Sequence, residues 1–283
     1  MKLSHRLTSL QRMIQHPYRH IWDCCCDHGL LGAALLTELQ TLSLATEAAP
    51  PSQTYAPLQT HASLQTSVHF VDIIPSLMQE VEDKLQRFFP QSKQASRNKE
   101  PDSDHGISWQ VHCMDVSQLP IITDNSRQLI IIAGVGGALT LKLVQAIRLA
   151  YPQQALDFLL CPVHHQFELR QGLKALNLGL VDEQLIVENR RFYELIYVSS
   201  QSSTELSAQG DKLWQQDINI SQAYLNRTLT HYRNMLRHSA ALDGRGHEFT
   251  QQMCTGSVTL QSHSQAALNA IIESYSQIKV KLG

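Results

Sequence analysis

Ile21-Trp22-Asp23-Cys24-Cys25-Cys26-Asp27-His28-Gly29-Leu30-Leu31-Gly32 begins as an apolar, β-prone run, turns acidic, and ends in a helix-compatible segment. Further along, Leu129-Ile130-Ile131-Ile132-Ala133-Gly134-Val135-Gly136-Gly137 has the same order of strand, loop and helix, with a Gly-rich loop. In an open α/β sheet the loops at the carboxyl ends of strands line the ligand crevice. Two such loops, with acidic residues after the strands between them, point to a bound nucleoside-like cofactor.

Working outward, strands are predicted at 20–24, 68–71, 109–114, 128–132, 157–160, 180–187 and 191–198, with helices at 4–16, 29–39, 75–89, 138–150 and 165–176. Leu77, Met78, Val81, Leu85 and Phe88 set the buried face of the third helix, which Pro75 opens. The fourth strand is too apolar to alternate, as expected when both faces are buried. The pattern βαβαβ–βαβαββ predicts an α/β fold with a seven-stranded, mostly parallel, Rossmann-like sheet and an antiparallel final strand. That arrangement matches the class I methyltransferase sheet. Polar connections at 40–67 and 90–107 follow helices and precede strands, so they belong to the edge of the sheet opposite the crevice. The composition changes after 203, and the expected division is 1–203 and 204–283. The second part carries Leu225, Leu229, Tyr232 and Leu236 on one helical stripe and Leu268, Ile271, Ile272, Tyr275 and Ile278 on another. These predict a C-terminal helical hairpin over 211–238 and 257–280. The hairpin has two open roles: packing on the sheet domain or a second subunit of a homo-oligomer, or gripping substrate.

The 283 residues, 43% of them hydrophobic, suffice for a large core. A formal charge of −2 gives no global pull on nucleic acid, so any such binding needs a local basic face. No apolar run approaches the roughly 18 residues of a membrane helix, and 1–7 lack a signal-peptide core. The expectation is a cytoplasmic protein without a membrane span. Six cysteines form no CxxC pair, and three adjacent thiols on a strand cannot converge on one ion. No metal is expected, and Cys113 and Cys161 read as core.

Asp23, Asp72 and Asp115 follow strands one, two and three. A carboxylate after strand two suits ribose hydroxyls, and one after strand three suits an adenine amino group. Asp27-His28-Gly29 opens a helix whose amino end favours a negative group. Singly, each Asp reads more readily as an N-cap or turn residue; three at equivalent positions favour the cofactor. The loop after strand one lacks G-x-G-x-x-G, which argues against a nicotinamide cofactor.

Residues 3–198, the two polar connections aside, resemble the bacterial tRNA (adenine-22-N1)-methyltransferase family, whose members use S-adenosyl-L-methionine. The resemblance is carried by Leu3-Ser4-His5-Arg6-Leu7, by Asp23 to Leu31, by Ile132 to Gly137 and by Phe192-Tyr193-Glu194-Leu195-Ile196. It implies methylation of adenine N1 in tRNA. It implies cofactor contacts from Asp23, Cys25, Asp27, His28, Gly29, Asp72, Ile73, Asp115, Val116, Ala133 and Gly134. Asp27 and His28 become the catalytic candidates, and Arg6, Gly136, Gly137, Arg191 and Tyr193 the substrate candidates. The chain departs from the family at Cys25, where the family has Gly, at Asp72-Ile73-Ile74-Pro75, and at Leu160-Cys161-Pro162-Val163, which lacks two polar groups. Two alternatives share the fold: a methyltransferase for a small molecule or protein, and a non-catalytic cofactor-binding protein.

Overall fold

The computed structural model describes residues 3–48, 66–90, 107–243 and 264–282. Most of both polar connections, Cys254 and the Gly-containing break at 244–246 lie outside them. The chain divides into two compact units, Met1–Ala208 and Gln209–Gly283.

The first unit contains α1 (His5–Met13), β1 (His20–Cys24), α2 (Leu30–Ala48), β2 (Ser67–Asp72), α3 (Pro75–Phe88), β3 (Ser108–Cys113), β4 (Gln128–Ala133), α4 (Gly137–Ala150), β5 (Leu156–Cys161), α5 (Gln166–Ala175), β6 (Gly179–Glu188) and β7 (Arg191–Ser199). The seven strands run in the order β3-β2-β1-β4-β5-β7-β6. β7 alone is antiparallel to the rest, inserted between β5 and β6. Asn189 and Arg190 join β6 to β7 with φ of 50° and 62°, the left-handed pair that a two-residue hairpin of matching twist requires.

Alternation assigns the faces. Leu129 and Ile131 of β4 meet Leu10 and Met13 of α1 and Leu31 and Leu35 of α2. Ile130 and Ile132 meet Leu143 and Val144 of α4 and Leu169 and Leu173 of α5. This double cover explains the unbroken apolar run of β4. Helix α2 continues nine residues past its expected end at 39, because 40–48 hold no Gly or Pro and Pro50 and Pro51 come only afterwards. Two expectations about the core are corrected. Phe88 is 65% exposed, as it lies past the stripe of Met78, Val81 and Leu85. Cys113 is exposed because it ends the edge strand β3, whereas Cys161 on central β5 is fully buried.

Polar groups inside the sheet unit are grouped. Arg170 of α5 donates from Nε to Glu194 Oε2 and from Nη1 to Glu183 Oε2, each at 2.7 Å, and all three side chains are fully buried. Burial works against the guanidinium charge, but the two carboxylates outweigh it and raise the Arg170 pKa. Tyr18, Asp157 and Tyr197 form a second buried group, with Arg127 Nε 2.6 Å from Asp157 Oδ2. A third group crosses three strands. His20 Nδ1 lies 3.1 Å from His69 Nε2, and His69 Nδ1 lies 3.0 Å from His112 Nε2. Trp22 stacks on His69 at 3.9 Å between centroids. Burial lowers the pKa of all three imidazoles, that of His69 to about 3.

The second unit contains α6 (Ile218–Asp243) and α7 (Gln265–Leu282), preceded by a 3-10 turn at Lys212–Gln215. Asp217 Oδ1 accepts from Asn219 N and Ile220 N, and Ser264 Oγ from Ala267 N, so each helix has a side-chain N-cap. Trp214 stacks on Tyr224, and Tyr232 on Tyr275. The aromatic residues thus join α6 to α7, and the expected helical hairpin begins at 218 instead of 211. No helix among the described residues is long and apolar enough to cross a membrane.

Candidate functional site

The carboxyl ends of β1, β2 and β3 form one half of the site. Cys25, Asp27 and Gly29 all have left-handed backbones, with φ of 53°, 50° and 68°. The loop hangs on β2: Cys26 N donates to Val71 O at 3.3 Å, and Asp27 N to Asp72 Oδ2 at 3.3 Å. Asp72 Oδ1 accepts from Ile74 N at 3.1 Å. Each Asp72 oxygen therefore holds one backbone donor and keeps acceptor capacity for a hydroxyl. Ile73 and Ile74 are 66% and 45% exposed directly after it. An apolar patch beside a hydroxyl acceptor suits a nucleoside, whose flat ring covers the first while its ribose engages the second.

Asp115 is partly committed, since its side chain accepts from Ser117 N at 2.8 Å and caps a 3-10 turn. That bond holds its carboxyl below the usual range. Val116 packs in the core and offers no side chain to the crevice. Asp23 lies beneath the loop, buried, with Oδ2 accepting from Gly32 N at 2.9 Å. Burial raises its carboxyl to about 7. A Cβ on Gly32 would overlap the Phe70 ring, so glycine there seats α2 on β2. Cys25 is half-buried, and its thiol is pushed up to about 11 by burial and then by Asp72, Asp23 and Asp115. It is a neutral thiol in a backbone region that costs a side-chain-bearing residue roughly 1–2 kcal/mol.

Asp27 and His28 are both exposed. His28 Nε2 is 3.7 Å from Asp27 Oδ1, and its Nδ1 is 3.9 Å from Glu80 Oε2 of α3. The imidazole is thus directed toward α3. With Gly29, Leu30, Ala33, Leu85 and Phe88 it lines a groove of about 630 Å³. The partners of His28 are its loop neighbour Asp27 and Glu80 of α3, not residues of the Gly-rich loop.

The ends of β4, β5 and β7 form the other half. Gly134 N donates to Cys161 O at 3.2 Å, Val163 N to Val135 O at 3.0 Å, and Gly137 N to His164 O at 2.9 Å. These bonds tie the loops after β4 and β5 into one platform. Gly134 has φ of 86°, and a Cβ there would meet nothing within 4 Å, so its surface is open. A Cβ on Gly137 would overlap His165 O, so the loop pair requires glycine there. Arg6 of α1 and Tyr193 of β7 come together, the guanidinium 5.0 Å from the ring centroid, and Arg6 N donates to Glu188 Oε1 at 3.1 Å. Ala133 and Tyr193 border the same α1-side cluster. Arg191 is exposed at the start of β7. The sequence reading missed Glu188 and the pair His164-His165. The histidines follow β5 as the acidic residues follow β1 to β3, so the same loop rule would have found them.

The two halves differ in charge. Asp27, Asp72 and Asp115 surround the first, above the buried Asp23, which suits a cationic, hydroxyl-bearing ligand. Arg6 and Arg191 bring positive charge to the second, beside the imidazoles of His164 and His165. Among the described residues no group of three or more His, Cys, Asp or Glu side chains is placed to hold a metal ion.

Comparison with known proteins supplies the fold identity. A family model described as "Methyltransferase domain" matches residues 90–196. M. capricolum TrmK, in complex with S-adenosyl-homocysteine, superposes with a TM-score of 0.64 at 13% identity, covering 99% of this chain and 99% of that one. The B. subtilis m1A22 tRNA methyltransferase TrmK gives 0.62 at 17% identity, with 98% of each chain covered. A Streptococcus pneumoniae protein in complex with S-adenosyl-L-methionine gives 0.61 at 13% identity, covering 98% and 99%. A search of curated proteins finds no significant match. The chain has the fold of these structures, a Rossmann-like methyltransferase sheet followed by C-terminal helices.

Proposed function

We propose that the chain is an S-adenosyl-L-methionine-dependent methyltransferase acting on N1 of an adenine in tRNA. The observation that carries this reading is the likeness over 98–99% of the chain to tRNA methyltransferase structures, helical extension included. The crevice supports it independently. Asp72 with Ile73 fits the adenosine part of the cofactor, the acidic surround fits its cationic sulfonium and ammonium groups, and Gly134 leaves room beside them. When bound, S-adenosyl-L-methionine supplies an activated methyl group.

The residues of the chain then have orienting and electrostatic work. Adenine N1 attacks with its own lone pair, so no general base is required at that atom. Alignment of reactants can contribute about 7–11 kcal/mol. The open surface at Gly134 and the Gly136-Gly137 turn accept a base extruded from its stack. Arg6 on Tyr193 and exposed Arg191 offer charge to the RNA backbone. The methylated base is cationic, and the carboxylates around loop one favour it. Asp27 is the exposed carboxylate of that loop, and His28 sits beside it.

The direct test incubates the protein with labelled S-adenosyl-L-methionine and unmodified tRNA, then maps the modified nucleotide. Label in 1-methyladenosine is expected. Label reaching only small molecules or protein would replace this substrate class with another. In the same system Asp72→Ala should weaken cofactor binding by about 1–3 kcal/mol, because the ribose hydroxyls lose their acceptor. Calorimetry showing unchanged affinity would remove Asp72 from the cofactor site.

The helical unit reads as an RNA-binding arm. Arg233 and Arg237 are exposed and four residues apart on α6, so they share a face. Replacing both with alanine should weaken tRNA binding. It should also flatten the salt dependence, by about one unit of log–log slope for each phosphate no longer neutralised. Cofactor affinity should not change. An unaltered slope would leave the unit a packing or dimerising element.

A further inference from the structure

His164 occupies a position that glycine at 136 alone permits. A Cβ on Gly136 would overlap His164 Cε1 and lie 2.8 Å from Nε2 and 3.1 Å from Nδ1. The ring therefore lies against the Gly136 backbone, on the platform that joins the β4 and β5 loops. Two further features hold it there. Gly137 N donates to His164 O, and His164 Nδ1 is in hydrogen-bond contact with His165 Nδ1, the rings meeting edge to face at 4.3 Å. His165 adopts a left-handed backbone, φ 60°, at the start of α5. His164 itself is exposed. Its Nδ1 is engaged, and among the described residues Nε2 has no partner.

On the reading that the substrate is a tRNA adenine, we infer that His164 is a base-positioning and specificity residue, accepting a hydrogen bond at Nε2 from the adenine N6 amino group. The Watson–Crick edge of adenine has two hydrogen-bonding groups, the N1 lone pair and the amino donor. N1 must stay free to react, so the protein has the amino group left to read, and an acceptor reads it. The tautomer that donates Nδ1–H to His165 leaves Nε2 as that acceptor. The bond also strengthens during the reaction. The N1–methyl bond forms as the methyl–sulfur bond breaks, its electron pair going to sulfur, and positive charge passes to the base. The amino hydrogens become better donors, so the contact is stronger in the transition state than in the ground state. A purine bearing a carbonyl in place of the amino group would set acceptor against acceptor.

The test uses the full-length chain and a tRNA substrate with the target adenine either intact or replaced by purine, which lacks the amino group. With wild-type protein, removing the amino group should lower kcat about tenfold or more. His164→Ala should lower kcat by a similar factor on intact tRNA, with cofactor affinity unchanged. The two losses should not add when combined. His164→Gln, whose amide oxygen accepts, should recover part of the rate. Gly136→Ala, which displaces the ring without removing it, should lower kcat and add little to His164→Ala. Additive losses, or full activity in His164→Ala, overturn the inference alone. Wild-type protein that transfers no methyl to any tRNA overturns the substrate reading first, and this inference with it.

Discussion

Replacing Arg170 with methionine should destabilise the sheet unit by about 3–5 kcal/mol. The guanidinium is the cation between Glu183 and Glu194, all of them fully buried. Removing it strands two carboxylates in the interior, and stranded buried charge is the costly case. The intact triad need not be worth that much, because burying three charges offsets most of their attraction. A variant that also converts Glu183 and Glu194 to glutamine should therefore recover part of the loss. Denaturant unfolding of the three proteins measures both quantities. A loss below about 1 kcal/mol for Arg170→Met would mean that water reaches the site.

Acidification should act through the histidine row. The unfolded chain protonates His69 below about pH 6.5. The folded chain, where burial and then His112 and His20 oppose the charge, does so only below about 3. Between those values the unfolded state binds the extra proton, so stability falls as pH falls. At pH 4 the penalty from His69 is roughly 3 kcal/mol. Asp23 contributes the opposite slope, since its carboxyl, raised to about 7, takes up a proton in the folded state first. The difference between wild type and His69→Gln isolates the histidine from that background. His69→Gln should lose ground at pH 7 and regain about 3 kcal/mol of it at pH 4. A difference that stays constant with pH would show that the row is hydrated or already charged.

The sheet was legible because its signals are local. Alternation, the unbroken apolar run at 129–132, and acidic or Gly-rich loops after strands each need only a few neighbouring residues. The proline opening α3 belongs to the same class, and so does the short connection between the last two strands, which the sequence places at 188–190 and the structure shortens to Asn189-Arg190. What escaped depends on distance in the chain. His69 lies 49 residues from His20 and 43 from His112, and nothing near any of them announces the other two. Arg170, 13 residues from Glu183 and 24 from Glu194, reads as an ordinary surface charge until α5 covers β6 and β7. Exposure of Cys113 follows from β3 being an edge, which strand order decides and local pattern does not. The site was legible as a set of loops. The direction of a side chain was not: His28 is directed toward Glu80, and His164 lies on Gly136.

The place of β7 bears on how the chain is made. Synthesis delivers β5, then β6, and only then the strand that must sit between them. Until Ser199 exists, β5, with every residue from Leu156 to Cys161 buried in the finished fold, has one unpaired edge, and Glu183 awaits the Glu194 that completes its buried group. An unpaired apolar edge recruits other strands. Fragments ending between 161 and 199 therefore carry an adhesive border, and a pause in translation there prolongs its exposure. The last inserted strand acts as the keystone of the sheet, and the window before it arrives is when the nascent chain is open to wrong strand pairing.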